Sequence, residues 1–362
     1  MTPSEDHLRD LLRSVVDPNT GKDLVSSKSL KRLRIDQTEV SVDIELGYPA
    51  RTQIEVIRGA VEQALQACEG LRRVSVHVYQ RIVAHAFSPS AKPIASVRNV
   101  IAVASGKGGV GKSTTAVNLA LALAYEGARV GMLDADIYGP SQPTMLGLSG
   151  KPKSRDGKTM EPHLGHGLQV NSIGFLIAED TPMIWRGPMA TQALEQLIRD
   201  TRWDDLDYLV VDMPPGTGDI HLTLAQKIPV TGAIIVTTPQ DIALLDARKG
   251  LKMFEKVGIP VLGLVENMAM HQCSGCGRIE HIFGDGGGVR MAEQYQVPYL
   301  GALPLEIKIR QQSDEGCPTV AAEPESAIAQ SYRNIARKLA VALAAQAQSH
   351  ASKFPSIVVQ NT

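Results

Sequence analysis

One glycine-rich stretch has the residue types and the spacing that bind phosphate. The segment from Gly106 to Ser113, G-K-G-G-V-G-K-S, fits the P-loop pattern G-x-x-x-x-G-K-[ST]. An apolar run precedes it and a helical pattern follows it, so we expect a strand, a tight turn and a helix N-terminus. In such a loop the glycines let successive N–H groups face an anion, Lys112 reaches the β- and γ-phosphates, and the Ser113 hydroxyl binds Mg²⁺.

Two further segments place carboxylates where strands are expected to end. Asp134 and Asp136 lie two residues apart at the end of an apolar run, so both can face one site. Asp212 ends the run Leu209-Val210-Val211, which is the form of a Walker B aspartate that holds Mg²⁺ through water. The glycine-containing loop after Asp212 can sense the γ-phosphate through its N–H groups. The sequence therefore predicts an ATP and Mg²⁺ site, with Ser113 and Asp212 nearest the ion.

Cys273 and Cys276 form a C-x-x-C pair that can bind one metal centre together. A complete site needs four ligands, and the other two cysteines, Cys68 and Cys317, are remote and isolated. The economical solution is a two-fold dimer in which each subunit gives two thiolates to one shared centre. Because thiolates accept both metals, a structural zinc bridge remains an alternative to an iron–sulfur cluster.

The first ninety residues predict a separate small α+β unit. The patterns alternate as helix, strand, strand, helix and strand. They cover residues 6–16, 29–35, 38–46, 54–68 and 72–79. Cys68 lies on the apolar side of the second helix, and we interpret it as a core residue, leaving a role in passing metal as the alternative.

From residue 99 onward, apolar strands and helical patterns alternate, which predicts an α/β domain. Its sheet is expected to be mostly parallel and flanked by helices, with ligands at the carboxyl ends of the strands. We therefore expect a small domain at 1–85, a linker at 86–97, the P-loop domain at 98–345 and a mobile tail at 346–362. The expected strands are 100–104, 130–134, 208–212, 233–237, 261–265 and 299–303.

Composition excludes several other classes of protein. The 362 residues carry a net charge of −1 and only 4% aromatic residues, which argues against a nucleic-acid partner. No apolar run reaches the ~18 residues that span a bilayer, and the N-terminal segment lacks the apolar core of a signal peptide. Four cysteines in a chain of this length favour metal or redox chemistry over a disulfide scaffold. We expect a cytoplasmic protein without membrane or nucleic-acid partners.

The second lysine of the loop, Lys107, gives G-K-G-G-V-G-K-S-T, which resembles the deviant Walker A motif of the MinD/ParA/nitrogenase-iron-protein class of P-loop ATPases. The resemblance implies that Lys107 reaches the partner's nucleotide across a dimer. It also implies that Asp136 orients the attacking water and that Asp134 lies near the Mg²⁺ ion, with Ser113 and Asp212. Lys107, Lys112 and Asp136 are the expected catalytic residues. The resemblance further implies that Asn267 and Pro304 contact the adenine base. The expected ATP contacts are Gly106, Lys107, Gly108, Gly109, Val110, Gly111, Lys112, Ser113, Thr114, Asn267 and Pro304.

The order of the longer motifs is similar to that of the Mrp/ApbC iron–sulfur cluster carriers. D-A-D-I-Y-G-P-S, V-D-M-P-P-G-T-G-D and E-N-M-A-M-H-Q-C-S-G-C-G occur in that family's order, and the N-terminal unit resembles the MIP18-like domain. The resemblance implies an ATP-hydrolysing homodimer that holds a labile [4Fe–4S] cluster at Cys273 and Cys276. A donor scaffold would load the cluster, and apo-proteins would receive it.

Two alternative functions would also use an ATPase domain of this kind. A MinD/ParA-type positioning ATPase needs a basic amphipathic helix or a basic face, and the expected C-terminal helix has few basic residues. An electron-transfer ATPase like the nitrogenase iron protein is less favoured, because that class binds its cluster through widely separated cysteines.

Overall fold

The computed structural model describes residues 4–85, 92–94, 96–177 and 187–351. The chain divides into two compact units, Met1–Val83 and Ala84–Thr362. Most of the expected linker, at 86–91 and 95, lies outside the described residues, as does the expected tail from 352 onward.

The first unit has the expected order of helix, strand, strand, helix and strand. Its three-stranded sheet has the order β1-β2-β3, in which β1 and β2 are antiparallel and β2 and β3 are parallel. Alternate residues of β2, such as Val42 and Ile44, are buried in a core shared with Leu8, Leu12 and Ile57 of the two helices. The elements are α1 (Glu5–Arg13), β1 (Leu30–Asp36), β2 (Glu39–Leu46), α2 (Ile54–Gln66) and β3 (Arg73–Gln80).

The second unit is built on a twisted sheet whose central strands are parallel and buried. The strand order is β11-β10-β9-β4-β8-β5-β7-β6, and β12 pairs with β10. Within the described residues of this unit, only the short strands β6 and β11 pair antiparallel with a neighbour. The strands are β4 (Val97–Ala104), β5 (Val130–Asp134), β6 (His163–Gly165), β7 (Leu168–Ser172), β8 (Leu206–Asp212), β9 (Gly232–Thr237), β10 (Val261–Gln272), β11 (Ile279–Glu280) and β12 (Tyr299–Pro304).

Helices cover this sheet. Helix α3 follows the P-loop and is buried along most of its length, because α11 packs against it. None of the helices in the described parts of the chain has the length and apolar character that a bilayer crossing demands. The helices are α3 (Lys112–Tyr125), α4 (Gln142–Met145), α5 (Gly187–Asp200), α6 (Asp219–Lys227), α7 (Asp241–Lys256), α8 (Gly287–Tyr295), α9 (Ile307–Asp314), α10 (Thr319–Ala322) and α11 (Ala327–Ala351).

The structure differs from the sequence-based expectations at three places. Strands β6 and β7 were not expected, since they are short and β7 carries polar residues such as Gln169 and Asn171. Strand β10 does not end at Val265 but continues to Gln272, so the segment that follows Val265 is strand rather than loop. Helix α11 runs to Ala351, past residue 345, where the sequence suggests that the domain ends.

Candidate functional site

The P-loop connects β4, which ends at Ala104, to α3, which begins at Lys112. Gly111 caps this helix with a φ of 79°, a left-handed conformation that favours glycine. A Cβ atom on Gly106 would lie 2.1 Å from the main-chain carbon of Asp246 in α7, so no side chain fits there. The backbone therefore favours glycine at Gly111 and requires it at Gly106. The loop ends at a helix N-terminus, the arrangement that binds phosphate.

Lys112 is the centre of the charged cluster next to the loop. Its side chain is buried, and Nζ donates a hydrogen bond to the Asp212 carboxylate. The same nitrogen lies 3.8 Å from Oδ2 of Asp136 and 3.1 Å from Oγ of Ser113. One lysine thus faces two carboxylates and the hydroxyl expected to bind Mg²⁺.

Asp134, at the end of β5, has no exposed surface, and the protein uses both of its oxygens. Oδ1 accepts the main-chain N–H of Asp136 at 3.1 Å. Oδ2 accepts three donors: the main-chain N–H groups of Ser141 and Gln142, at 3.0 and 3.1 Å, and the hydroxyl of Ser172, at 3.0 Å. These hydrogen bonds fix the loop that carries Asp136.

The carboxylates influence one another because they are buried close together. Asp134 and Asp212 are paired neighbours on β5 and β8. Burial, and then the charge of Asp212, raise the pKa of Asp134 to about 7. Burial also raises the pKa of Asp136, against the opposing effect of the Lys112 charge.

Gln142 belongs to this cluster, and sequence reasoning missed it. Its Nε2 donates to Oδ2 of Asp212 at 2.9 Å and to the main-chain oxygen of Ser113 at 3.1 Å. A glutamine at the start of a short helix resembles an ordinary surface residue, so the sequence contains no signal of this role. Sequence reasoning also missed Ser172, because it lies on β7, a strand that the sequence does not predict.

The oxygen atoms around Lys112 fit Mg²⁺ in their chemistry. The Ser113 hydroxyl and the Asp212 carboxylate are ligand types that this ion prefers. In the described residues, however, no group of three or more His, Cys, Asp or Glu side chains is arranged to hold a metal ion alone. An ion here would therefore need further ligands from a bound phosphate and water.

A cavity of about 220 Å³ adjoins the end of the P-loop. The structure brings Asn267 and Pro304 together here, as expected of base-contacting residues. Nδ2 of Asn267 donates to the main-chain oxygen of Val110 at 2.8 Å, which ties β10 to the loop. The cavity is lined by Gly111, Thr114, Met145, Asn267, Met268, Pro304, Leu305, Glu306, Ile309, Arg310, Ser313, Asp314 and Tyr332.

A bulge in β10 lies beside this cavity. Glu266 pairs with Ala302 and Met270 pairs with Pro304, so β10 has two more residues than β12 between these pairs. Met268, within the bulge, has a φ of 55°, which is uncommon for a residue with a side chain. The bulge turns Asn267 toward the P-loop and lets the strand continue to the cysteines.

The loop after β8 is held by two contacts. The main-chain N–H of Gly216 donates to the oxygen of Ser105 at 3.0 Å. The Nε2 atom of His221 lies 3.0 Å from the main-chain oxygen of Pro214, and burial lowers the pKa of this histidine, which favours its neutral form. Sequence reasoning did not identify His221.

Cys273 and Cys276 lie in the turn of a hairpin between β10 and β11. The main-chain N–H of Cys273 donates to the oxygen of Arg278 at 2.9 Å, and that of Gly277 donates to the oxygen of Cys273 at 2.8 Å. The Cys273 thiol is half-buried and the Cys276 thiol is exposed. The N–H groups of Cys276 and Gly275 point at the Cys273 sulfur and lower its pKa, which favours the thiolate that binds metal.

The remaining candidate residues are two histidines, two cysteines and one lysine. His271 and His281 flank the hairpin, but each directs Nδ1 to a main-chain oxygen, at 3.0 and 2.8 Å. Cys68 is buried just after α2, and Cys317 is half-buried after α9. The half-buried Lys107 side chain makes no hydrogen bond or ion pair with the described residues.

Two family models match the chain. The model described as NUBPL iron-transfer P-loop NTPase covers residues 96–340, more than half of the chain. The chain belongs to this family. The model described as iron-sulfur cluster assembly protein covers residues 5–78, so this NUBPL-type NTPase combines both modules.

Relatives of this NTPase carry names that agree with the match. The "Iron-sulfur cluster carrier protein" of Haemophilus influenzae is 49% identical over 340 residues, covering 94% of this chain and 92% of the relative. The mouse "Iron-sulfur cluster transfer protein NUBPL" is 53% identical over 253 residues, covering 69% of this chain and 79% of the relative.

Solved structures agree with the fold of the NTPase unit. The nucleotide-binding protein of Archaeoglobus fulgidus, a complex with ADP, is 37% identical with a TM-score of 0.56, and the match covers 64% of this chain and 90% of that one. The cell division ATPase MinD of Pyrococcus furiosus, 23% identical with a TM-score of 0.50, covers 67% of this chain and 98% of its own and shows the fold alone.

Proposed function

We propose that this protein is a cytoplasmic, ATP-dependent carrier of iron–sulfur clusters that acts as a homodimer. Its cargo is a labile [4Fe–4S] cluster, which it receives from a donor scaffold and transfers to apo-proteins. One observation carries the proposal. The thiol pair, of which Cys276 is exposed and Cys273 half-buried, directly follows β10, and the same strand contacts the P-loop through Asn267. The names of the relatives, as cluster carrier and transfer proteins, support it.

Each charged or polar group of the nucleotide site has a role in this proposal. Lys112 and the N–H groups of the P-loop bind the phosphates, while Ser113 and Asp212 hold Mg²⁺, which neutralises phosphate charge. Asp136 orients the attacking water. Besides its expected place near the ion, we assign Asp134 to holding the loop that carries Asp136, because its oxygens accept main-chain hydrogen bonds from that loop.

Lys107 is assigned to the nucleotide of the partner subunit. Its side chain makes no ion pair or hydrogen bond with the described part of its own chain, although it belongs to the loop that binds phosphate. A cation that is free in one subunit can neutralise charge that develops in the other during hydrolysis.

Two thiols are half of the ligand set that a four-iron cluster requires. Across the described residues, no third His, Cys, Asp or Glu joins them as a ligand group. A two-fold axis beside the hairpin would supply the partner subunit's two thiols and complete the site. Nucleotide binding beside Asn267, in the middle of β10, would then change the geometry of the dimer, and with it the hold on the cluster.

The test is anaerobic reconstitution with iron, sulfide and zinc measured per dimer. We expect about four iron and four sulfide in the wild type, as a four-iron cluster requires, and none in the double variant Cys273→Ala, Cys276→Ala. The single variant Cys317→Ala is the matched control and should load like the wild type. Zinc retained without sulfide would reject the carrier function in favour of a structural zinc bridge. Equal transfer rates to an apo-protein with and without nucleotide would reject the coupling.

A further inference from the structure

Gln142, the first residue of α4, is a fully buried amide between the two residues assigned to Mg²⁺. Its Nε2 donates to Oδ2 of Asp212 at 2.9 Å and to the main-chain oxygen of Ser113 at 3.1 Å. Its own main-chain N–H donates to Oδ2 of Asp134 at 3.1 Å. This one residue therefore joins β8, α3 and the loop after β5.

The chemistry of its neighbours fixes the orientation of this amide. A carboxylate and a main-chain carbonyl are both acceptors, so only the NH₂ end of Gln142 can face them. Oε1 must then point away, and it is buried without a hydrogen-bond partner within the described part of the chain. A buried acceptor without a donor costs free energy, and this one lies in the charged cluster beside the P-loop, where water that enters with a ligand can supply the donor.

We propose that Gln142 is a positioning residue of the Mg²⁺–nucleotide site. Its NH₂ group fixes the Asp212 carboxylate relative to Ser113, and Oε1 accepts a hydrogen bond from water that enters with the ion. The neutral amide adds a donor without adding charge to a cluster that already holds three carboxylates and one lysine. This inference rests on the proposed function, because it takes Mg²⁺–nucleotide as the ligand of the P-loop.

The test measures the equilibrium affinity for ADP in EDTA and in saturating Mg²⁺. Its readout is the Mg²⁺ gain, the factor by which Mg²⁺ raises the affinity for ADP. Gln142→Met keeps the length of the side chain but removes both donor and acceptor, so we expect the gain to fall by about tenfold. Gln142→Glu keeps an acceptor and adds a charge. It should weaken ADP binding in EDTA and give a larger Mg²⁺ gain than the wild type. This opposite response cannot come from lost packing.

Gln312→Met is the matched control. Nε2 of Gln312 also donates to a carboxylate, that of Glu323 at 3.0 Å, and its Oε1 is also buried without a hydrogen-bond partner among the described residues. Gln312 does not line the cavity beside the P-loop, so this variant should keep the full Mg²⁺ gain. If Gln142→Met keeps it too, the inference fails and the proposed function stands. A wild type that binds no ADP, or gains nothing from Mg²⁺, overturns both. Should Gln142→Met not fold, Gln142→Glu decides.

Discussion

The nucleotide site and the thiol hairpin adjoin the same strand, β10, but they are built in opposite ways. Lys112, Asp134 and Asp212 are buried, and each has several partners within the chain. The thiols are held by a few main-chain hydrogen bonds in an exposed turn, next to Ile279, which is 56% exposed. The first region positions its charges within one chain, whereas the second offers two thiols, half of the four ligands that the proposed cluster requires. A carrier benefits from this difference, because a site that must release its cargo cannot be enclosed on all sides.

Lys112→Ala should have the largest effect and should be confined to the first region. It removes the only cation hydrogen-bonded to the Asp212 carboxylate among the described residues, together with the phosphate contact. We expect ADP affinity to fall by at least about 100-fold, since charge-assisted contacts in buried sites are strong. The apo protein should lose about 3–5 kcal/mol of unfolding free energy, as when one partner of a buried pair is removed. Calorimetric titration and urea unfolding measure the two effects.

The control is Lys249→Ala, which removes an exposed lysine paired with Asp246 on the surface of α7. It should change neither the affinity for ADP nor the free energy of unfolding. Lys112→Ala should still load iron at the hairpin, because the thiols share no contact with Lys112. Loss of iron loading in this variant would mean that the hairpin cannot load iron unless Lys112 is in place.

Lys107→Ala should separate binding from turnover. Because the described residues offer this side chain no partner in its own chain, we expect ADP affinity to stay within about threefold of the wild type. ATP turnover should fall by at least about tenfold, as when a charge supplied in trans is lost. The measurement is turnover against protein concentration, with Lys151→Ala as an exposed-lysine control. An affinity loss as large as the loss of turnover would place Lys107 at its own nucleotide.

The sequence predicts those parts of the two regions that consist of residues close together along the chain. The P-loop, the strand-end aspartates and the cysteine pair are short patterns whose chemistry depends on neighbours in sequence. The parallel strands are predictable for a similar reason, since buried strands such as β8 are continuous apolar runs. Gln142 and Ser172 are not predictable, because their roles depend on contacts between strands and helices far apart in sequence. The bulge in β10 depends on its pairing with β12, which no local pattern reveals.

The buried carboxylates make the first region sensitive to pH. The pKa of Asp134 is raised to about 7 by burial and by Asp212, from an ordinary value of 3.8. The native protein therefore keeps a proton that the unfolded chain releases, and its stability falls as the pH rises from about 4 to 7. Asp134→Asn cannot release this proton. The unfolding free energy of the variant relative to wild type should rise through this window, by up to about 1.4 kcal/mol per pH unit.

Urea unfolding in EDTA at the two ends of this window measures the effect. Asp156→Asn is the control, because main-chain N–H groups of Thr159 and Lys158 lower the pKa of this exposed carboxyl. Asp156 is ionised in the native chain across the window and in the unfolded chain over all but its acid end, so the stability of this variant relative to wild type should stay nearly constant there. A constant difference for Asp134→Asn as well would mean that Asp134 is ionised in the native protein throughout.

The smallest expected effects concern Met268, in the bulge that separates the two regions. Its φ of 55° is strained for a residue with a side chain and suits glycine. Met268→Gly relieves the strain but loses side-chain contacts, so we expect a change within about 1 kcal/mol. Met268→Val places a β-branched residue in the same conformation and should destabilise by about 1–2 kcal/mol more than the glycine variant.

Met270→Val is the matched control, since Met270 pairs with Pro304 where the bulge ends and has no positive φ. Urea unfolding ranks the three variants. The iron retained with and without ADP then shows whether the bulge connects the regions. If it does, Met268→Gly, which frees the backbone between Asn267 and the cysteines, should reduce the effect of ADP on iron retention, and Met270→Val should not. An undiminished effect in Met268→Gly would mean that the nucleotide acts on the hairpin by another route, such as movement of the subunits.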